Sequence, residues 1–358
     1  MTFVALEDGT FKFSGTSANT QIQYSLDSGE TWNTLASNTN SPTVNAGHTI
    51  MWKGELIPVT ADWVAYSGGI GYFSSSGNYN VEGNVMSLLF GDNFDGQLSL
   101  SGKDFAFMNL FSGSTKLVSA ENLSLPATTL TQSCYFCMFT DCTSLSSAPQ
   151  LPATTLANQC YYRMFRGCTS LTTAPQLPTT TLAQSCYYSM FSNCTSLSSA
   201  PQLLATTLEN SCYSHMFEFC TSLTTAPELP ATTLANNCYY CMFLGCTSLT
   251  SAPQLPATTL VSNCYYLMFS DCTSLTTAPA LSATTLANNC YRTMFANCTS
   301  LNSITCLATD ISASNCTTNW VYGVQTTSGT FTKASNMSSW TTGNNGIPNN
   351  WTVQNYQS

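Results

Sequence analysis

Residues 229–254 read LPATTLANNCYYCMFLGCTSLTSAPQ, and near copies of this string begin at Leu125, Leu151, Leu177, Leu203, Leu255 and Leu281. Seven in-phase copies without insertion or deletion make a 26-residue period the organising fact of the chain. A decayed eighth copy begins at Leu307 and keeps Ile311 and Cys316. A degenerate leading copy is visible in FMNLFSGSTKLVSAENL, where Leu110 and Phe111 stand for Met-Phe, Ser114 for Cys and Leu117 for Leu. Atypical end copies suit a stacked array, whose first and last units face something other than a neighbour.

Within one copy, Cys134, Tyr135, Met138, Phe139 and Cys142 fall at i, i+1, i+4, i+5 and i+8. That spacing predicts one face of a short helix, with the preceding Thr-Leu-Thr-Gln-Ser supplying groups that cap its N-terminus. Proline in the following Ser-Ser-Ala-Pro-Gln-Leu-Pro forbids a helix there and leaves a short β-bridge segment. The expected unit is a short strand, a Thr-rich turn and a helix, too small to bury its own apolar face. The expected fold class is therefore an α/β repeat solenoid over residues 96–316, with the seven full repeats at 125–306. Met242, Phe243, Cys246 and Leu249, followed by Ala-Pro-x-Leu-Pro, resemble the A-F-x-x-C-x-x-L and I-P signature of BspA-like leucine-rich repeats. The resemblance covers roughly residues 105–316 and implies a leucine-rich-repeat-like solenoid.

The composition fits such an array. Only 7% of the 358 residues are charged, while the 43% hydrophobic fraction is ordinary, so Ser, Thr, Asn and Gln replace the missing charge. Disorder is excluded, because a disordered chain needs high charge and few apolar side chains. The net charge is −9, and residues 1–124 hold 11 acidic and 4 basic side chains, so the repeats are nearly neutral. Eight basic residues in the whole chain cannot neutralise a run of phosphates, so no nucleic acid is expected as partner. No apolar run reaches 18 residues, so no membrane insertion is expected. The first residues lack a secretory signal, which points to synthesis in a cytoplasm.

Fifteen of the 18 cysteines form two ladders at the repeat period. One runs from Cys134 to Cys316, the other from Cys142 to Cys298; Cys137, Cys241 and Cys306 are left over. On a helix, Cys134 and Cys142 would lie about 12 Å apart, too far to bridge. The Cys-x-x-Cys pairs at Cys134/Cys137 and Cys238/Cys241 look like half a zinc site. Other copies place Arg163, Ser189, His215, Leu267 and Thr293 at the Cys137 position, so the fold does not require that chemistry. Small thiols stacked in a narrow core are the favoured reading; bridges between copies and a metal site are the competing ones. No cofactor is expected.

Residues 1–95 carry no repeat, and their alternating stretches separated by Gly-, Asn- and Ser-rich turns read as an all-β sandwich-like domain. Ser25, Asp27, Gly29, Thr31 and Trp32 match an Asp box, a hairpin motif in which Asp27 accepts turn N–H groups and Gly29 takes a positive φ. A single such motif reads as structural. Residues 317–358 read as a C-terminal capping segment covered by Trp320, Trp340 and Trp351. The combination of Asp-box domain, these repeats and the ending from Gly346 to Val353 resembles proteins of Bacteroides and of their crAss-like bacteriophages.

That resemblance implies a non-enzymatic structural or binding protein of a phage virion: a tail or head fibre, or a decoration subunit. Its partners would be other virion proteins, a host-surface glycan or protein, or further copies in a homo-oligomer such as a trimer. The alternative is a Bacteroides cell-surface adhesin, which would carry an export signal. An enzyme acting on glycans is disfavoured, because the seven copies hold only Asp141, Glu209, Glu218, Glu228 and Asp271 as acids, at scattered offsets. Candidate contact residues are those that vary between copies: Arg163, Arg166, His215, Phe219, Tyr240 and Leu244. Aromatics among uncharged hydroxyls and amides suit sugars.

Overall fold

A computed structural model describes residues 1–62, 67–324, 328–338 and 340–357. Positions 325–327 and 339 of the expected cap lie outside the described residues, as do 63–66 of the N-terminal domain. The chain divides into two compact units, 1–178 and 179–358.

The first unit opens with nine strands: β1 (Thr2–Ala5), β2 (Phe11–Gly15), β3 (Gln21–Ser25), β4 (Asn33–Ala36), β5 (Thr49–Lys53), β6 (Val59–Asp62), β7 (Ser67–Gly69), β8 (Gly71–Ser75) and β9 (Tyr79–Asn84). A single helical turn, α1 (Ser87–Phe90), follows, then β10 (Leu117–Ser119) and β11 (Leu123–Ser124). The main sheet has the order β10-β9-β1-β5-β3-β4, with β11 also on β9. β2 pairs antiparallel with β8, Phe13 opposite Phe73. Alternation along these strands turns aromatic rings into a common core: Phe3 lies 5.2 Å from Phe11, 5.7 Å from Trp52, and 5.0 Å from both Phe73 and Tyr79. Phe111, from the leading repeat, joins it at 6.0 Å from Phe3. The sheet passes into the repeats without a break in chemistry, since β10 and β11 pair parallel to β9. Isolated parallel bridges then join successive copies, Ser119 to Ser147 and Thr129 to Thr155.

The helices expected at Cys134–Cys142 and its counterparts are absent, which overturns the α/β, leucine-rich-repeat-like solenoid. Among the described residues α1 is the only α-helix, and the fold is nearly all β-strand, bridge and turn. The reason lies in the backbone. Ser133, Cys137 and Asp141 have φ of 52°, 54° and 56°, so the chain visits the left-handed region every fourth residue and no helix can propagate. Phe136, Met138, Thr140 and Cys142 donate their amides to the carbonyl three residues back, at 3.1–3.2 Å. The intervening amides of Tyr135, Cys137, Phe139 and Asp141 donate instead to Cys160, Tyr162, Met164 and Arg166 of the next copy, at 2.7–3.0 Å. The segment is thus a ribbon of overlapping β-turns. Half of its amides close the turns and half stitch one coil to the next.

The second unit repeats this scheme. Tyr187, Ser189, Phe191 and Asn193 donate to Cys212, Ser214, Met216 and Glu218 at 2.7–3.1 Å. Stacking puts identical side chains on top of one another. Tyr187, Tyr213, Tyr239, Tyr265 and Tyr291 form a column with centroids 5.9–6.1 Å apart, and Phe191, Phe217, Phe243, Phe269 and Phe295 a second at 5.6–5.8 Å. The Tyr column ends on Trp320, which is fully buried, stacks on Trp340 at 5.5 Å and donates its indole N–H to the Gly346 carbonyl. β12 (Ser303–Cys306), β13 (Thr330–Lys333) and β14 (Thr352–Asn355) form a parallel sheet at this end.

Every cysteine is buried. In the second ladder the thiols of Cys220, Cys246, Cys272 and Cys298 each donate to the carbonyl of a Phe 29 residues earlier, at 3.0–3.1 Å. In the first unit Cys168 does the same to Phe139, and Cys142 donates to the carbonyl of Phe111, 31 residues earlier. The thiol is the right size for the coil and has one weak donor that the neighbouring coil uses. Burial pushes the Cys134, Cys246, Cys298 and Cys306 thiols up to about 12.

Candidate functional site

The Asp box forms the turn between β3 and β4. Ser25 Oγ accepts the amide of Gly29 at 2.9 Å and donates to Asp27 Oδ1 at 2.6 Å. Asp27 accepts the Thr31 amide at 2.9 Å and the Thr31 hydroxyl, and Gly29 has φ of 93°. The Trp32 indole donates to the Gly29 carbonyl at 3.1 Å, and Lys53 Nζ sits 4.2 Å over its ring. The hydroxyls of Ser25 and Thr31 hold the Asp27 carboxyl down to about 2. Every polar group of the motif is occupied in holding the hairpin, so it offers no reactive group.

Of the variable repeat residues, four gather in the second unit. His215 fills a column between Tyr188 and Tyr240, its ring 5.2 Å from each. Tyr266 stacks on Tyr240 at 4.8 Å. Below the imidazole, Glu218 Oε2 lies 3.2 Å from Nδ1 and accepts the Ser192 hydroxyl at 3.1 Å. Phe219 is 41% exposed and its ring carbons sit so close to Gly245 that any Cβ there would collide with them. Leu244 lies one turn on, half-buried. The result is a half-buried aromatic stripe crossing four copies. Tyr240 and Tyr266 stack face to face, and His215 lies tilted by 48–50° against Tyr188 and Tyr240, so the rings stand edge-on along the stripe with no open gap between them. Desolvation raises the Tyr240 phenol above its ordinary range.

Arg163 and Arg166 belong to the first unit and to a different site. They line a cavity of about 810 Å³ together with residues of the β domain, among them Ser14, Thr16 and Tyr72. Arg163 occupies a left-handed turn position, φ 53°, and its guanidinium packs over the Tyr162 ring at 5.2 Å. Arg166 Nη1 lies 3.6 Å from Asp141 Oδ1, too long for a hydrogen bond. Arg163 Nε and Ser14 Oγ are buried and have no hydrogen-bond partner among the described residues.

Sequence reasoning named the variable repeat positions but missed Tyr188, Ser192, Glu218 and Tyr266 in the stripe. Aromatic residues at one repeat offset, Phe136, Tyr162, Tyr188, Tyr240 and Tyr266, were the available signal. It also missed the β-domain wall of the cavity, for which no local signal exists. No group of three or more metal-ligating side chains occurs among the described residues, and no helix is long and apolar enough to cross a membrane. No family model matches the chain, and no curated protein or solved structure matches it either.

Proposed function

We propose that this chain is a non-enzymatic structural and binding protein, its repeats a contact surface for other proteins, as a fibre or decoration subunit of a virion requires. The observation that carries this reading is the stripe of Tyr188, His215, Tyr240 and Tyr266. A sugar ring stacks on an open aromatic face, and centroid spacings of 4.8–5.2 Å leave no room for one between these rings. Tyr rings flanked by exposed Phe219, with Glu218 tied to His215 and Ser192, suit the core of a protein interface, where Tyr and Phe are enriched. Acids of the array support this. Asp271 accepts the Asn297 amide and Glu218 the Ser192 hydroxyl, each from a neighbouring coil, while Ser270 and His215 occupy them from within their own coil.

Mass spectrometry of purified particles from the phage whose genome encodes the chain is the test. Recovery of the chain in the particles is expected, and its absence there refutes the virion assignment. Tyr240→Ser together with Tyr266→Ser should abolish its co-purification with particle proteins while leaving the fold intact; retention would refute the stripe as the contact. The second reading, a cell-surface adhesin, is favoured by the arginine-lined cavity. Surface immunolabelling of the producing bacterium separates the two.

A further inference from the structure

We propose that the cavity at Arg163 and Arg166 binds an anionic saccharide, a hydroxyl-rich ring carrying a carboxylate or a sulfate ester. This inference stands apart from the stripe and holds whether the chain sits in a particle or on a cell.

Three features converge. The first is charge. In a chain of net charge −9 with eight basic residues, two guanidinium groups meet at one cavity. Asp141, 57% exposed and 3.6 Å from Arg166, offsets one of them only in part. Guanidinium groups pair with carboxylate and sulfate oxygens through two parallel N–H donors, and the Arg163 guanidinium already packs over the Tyr162 ring at 5.2 Å. The second is unmet hydrogen-bonding capacity. Arg163 Nε and Ser14 Oγ are buried without a partner among the described residues, an arrangement that costs stability unless something compensates. The third is the lining. Thr16 and Ser112 add hydroxyls, and Tyr72 is 46% exposed with no ring stacked on it among the described residues. Tyr72 therefore offers what the stripe lacks, a ring face for a pyranose. A volume of about 810 Å³ falls in the range of small-ligand sites.

The sequence supplies its own conservative variants. Ser189 occupies the Arg163 position one copy later, and Ser192 the Arg166 position. Arg163→Ser and Arg166→Ser therefore place residues that this coil geometry already accepts. Calorimetric titration of the full-length chain would use galacturonate oligosaccharide, sulfated galactose oligosaccharide, neutral galactose oligosaccharide and inorganic sulfate as probes. At least one acidic saccharide should bind about tenfold or more tighter than the neutral one. Each Arg→Ser change should weaken it by about 10- to 100-fold, the loss expected for a hydrogen-bonded charge. Tyr72→Ala should weaken saccharide binding and leave inorganic sulfate unaffected, and Arg292→Tyr, in the second unit, should change nothing. Binding of the uronate alone identifies a carboxylate ligand, and binding of the sulfated sugar alone a sulfate ester. The proposal is overturned if neither acidic saccharide binds at millimolar concentration or if the neutral one binds equally. It is also overturned if inorganic sulfate matches the saccharides, or if the double Arg→Ser variant binds like the parent.

Discussion

Raising the pH above about 9 should unfold this protein steeply, and the buried thiols set the scale. Cys134, Cys246, Cys298 and Cys306 are shifted from 9.0 to about 12 by burial. The folded state favours the neutral thiol. The stability contributed is therefore complete below 9.0 and is lost as pH climbs toward 12, because the unfolded chain releases its protons first. At about pH 10 each such thiol costs about 1.4 kcal/mol, so the four together remove about 6 kcal/mol. That approaches the entire stability of an ordinary domain, about 5–15 kcal/mol. The buried phenols of Tyr239, Tyr265 and Tyr291, also raised by burial, act in the same direction above their ordinary range. Urea unfolding followed by circular dichroism, under a phosphine reductant and at a series of alkaline pH values, measures the effect. The free energy should fall with a slope of about four protons or more per molecule, and Cys246→Ala should reduce that slope by about one. A urea midpoint that stays constant from neutral pH to about pH 10.5 would refute the reasoning.

The same burial predicts that Cys142, Cys220, Cys246, Cys272 and Cys298 resist a thiol-specific disulfide reagent near neutral pH in the native protein and react fully in guanidinium; rapid native labelling of any of them would contradict the packed ladder. Thr293 combines a β-branched side chain, φ of 52° and a buried hydroxyl without a partner among the described residues. Thr293→Gly should therefore stabilise the protein by about 1 kcal/mol in chemical denaturation, and a net loss would discredit the strain argument. The Asp27 carboxyl is held from 3.8 down to about 2, so the hairpin keeps its full support above 3.8 and loses it as pH falls through about 2. An NMR titration of the Thr31 amide should show that low midpoint; a midpoint near 3.8 would show that the Ser25 and Thr31 hydroxyls do not hold the carboxylate.

Much of the chain was legible. The period, the β character of the N-terminal stretch and the Asp-box hairpin follow from residue pattern. The helices failed for a readable reason. Cys134, Met138 and Cys142 repeat at a strict spacing of four, as do Tyr135 and Phe139. An α-helix advances 3.6 residues per turn and would drift away from that spacing, whereas a ribbon of four-residue turns matches it. The segment is also poor in Ala, Glu and Lys, the strong helix formers. Asn, Ser, Asp and Gly recurring eight residues apart in most copies, as at Asn237 and Gly245, were the left-handed signal, although the position midway between them holds Cys241 here and Arg163, His215, Leu267 or Thr293 elsewhere. The cavity was not legible, because Tyr72 and Arg163 meet only through tertiary folding.

The alternation of amides between turn and neighbour has a genetic consequence. Within each unit a coil presents to the next the same row of donors and receives the same row of acceptors, as Tyr213 to Cys238 repeats Tyr187 to Cys212. Removing or duplicating a 26-residue segment rejoins equivalent surfaces, so unequal recombination between copies of the gene would lengthen or shorten the array without a misfolded junction. Such exchanges would also reshuffle the residues at the positions of Arg163 and Arg166. The contact surface could then diversify in steps of whole coils while the thiol and phenol columns stay in phase.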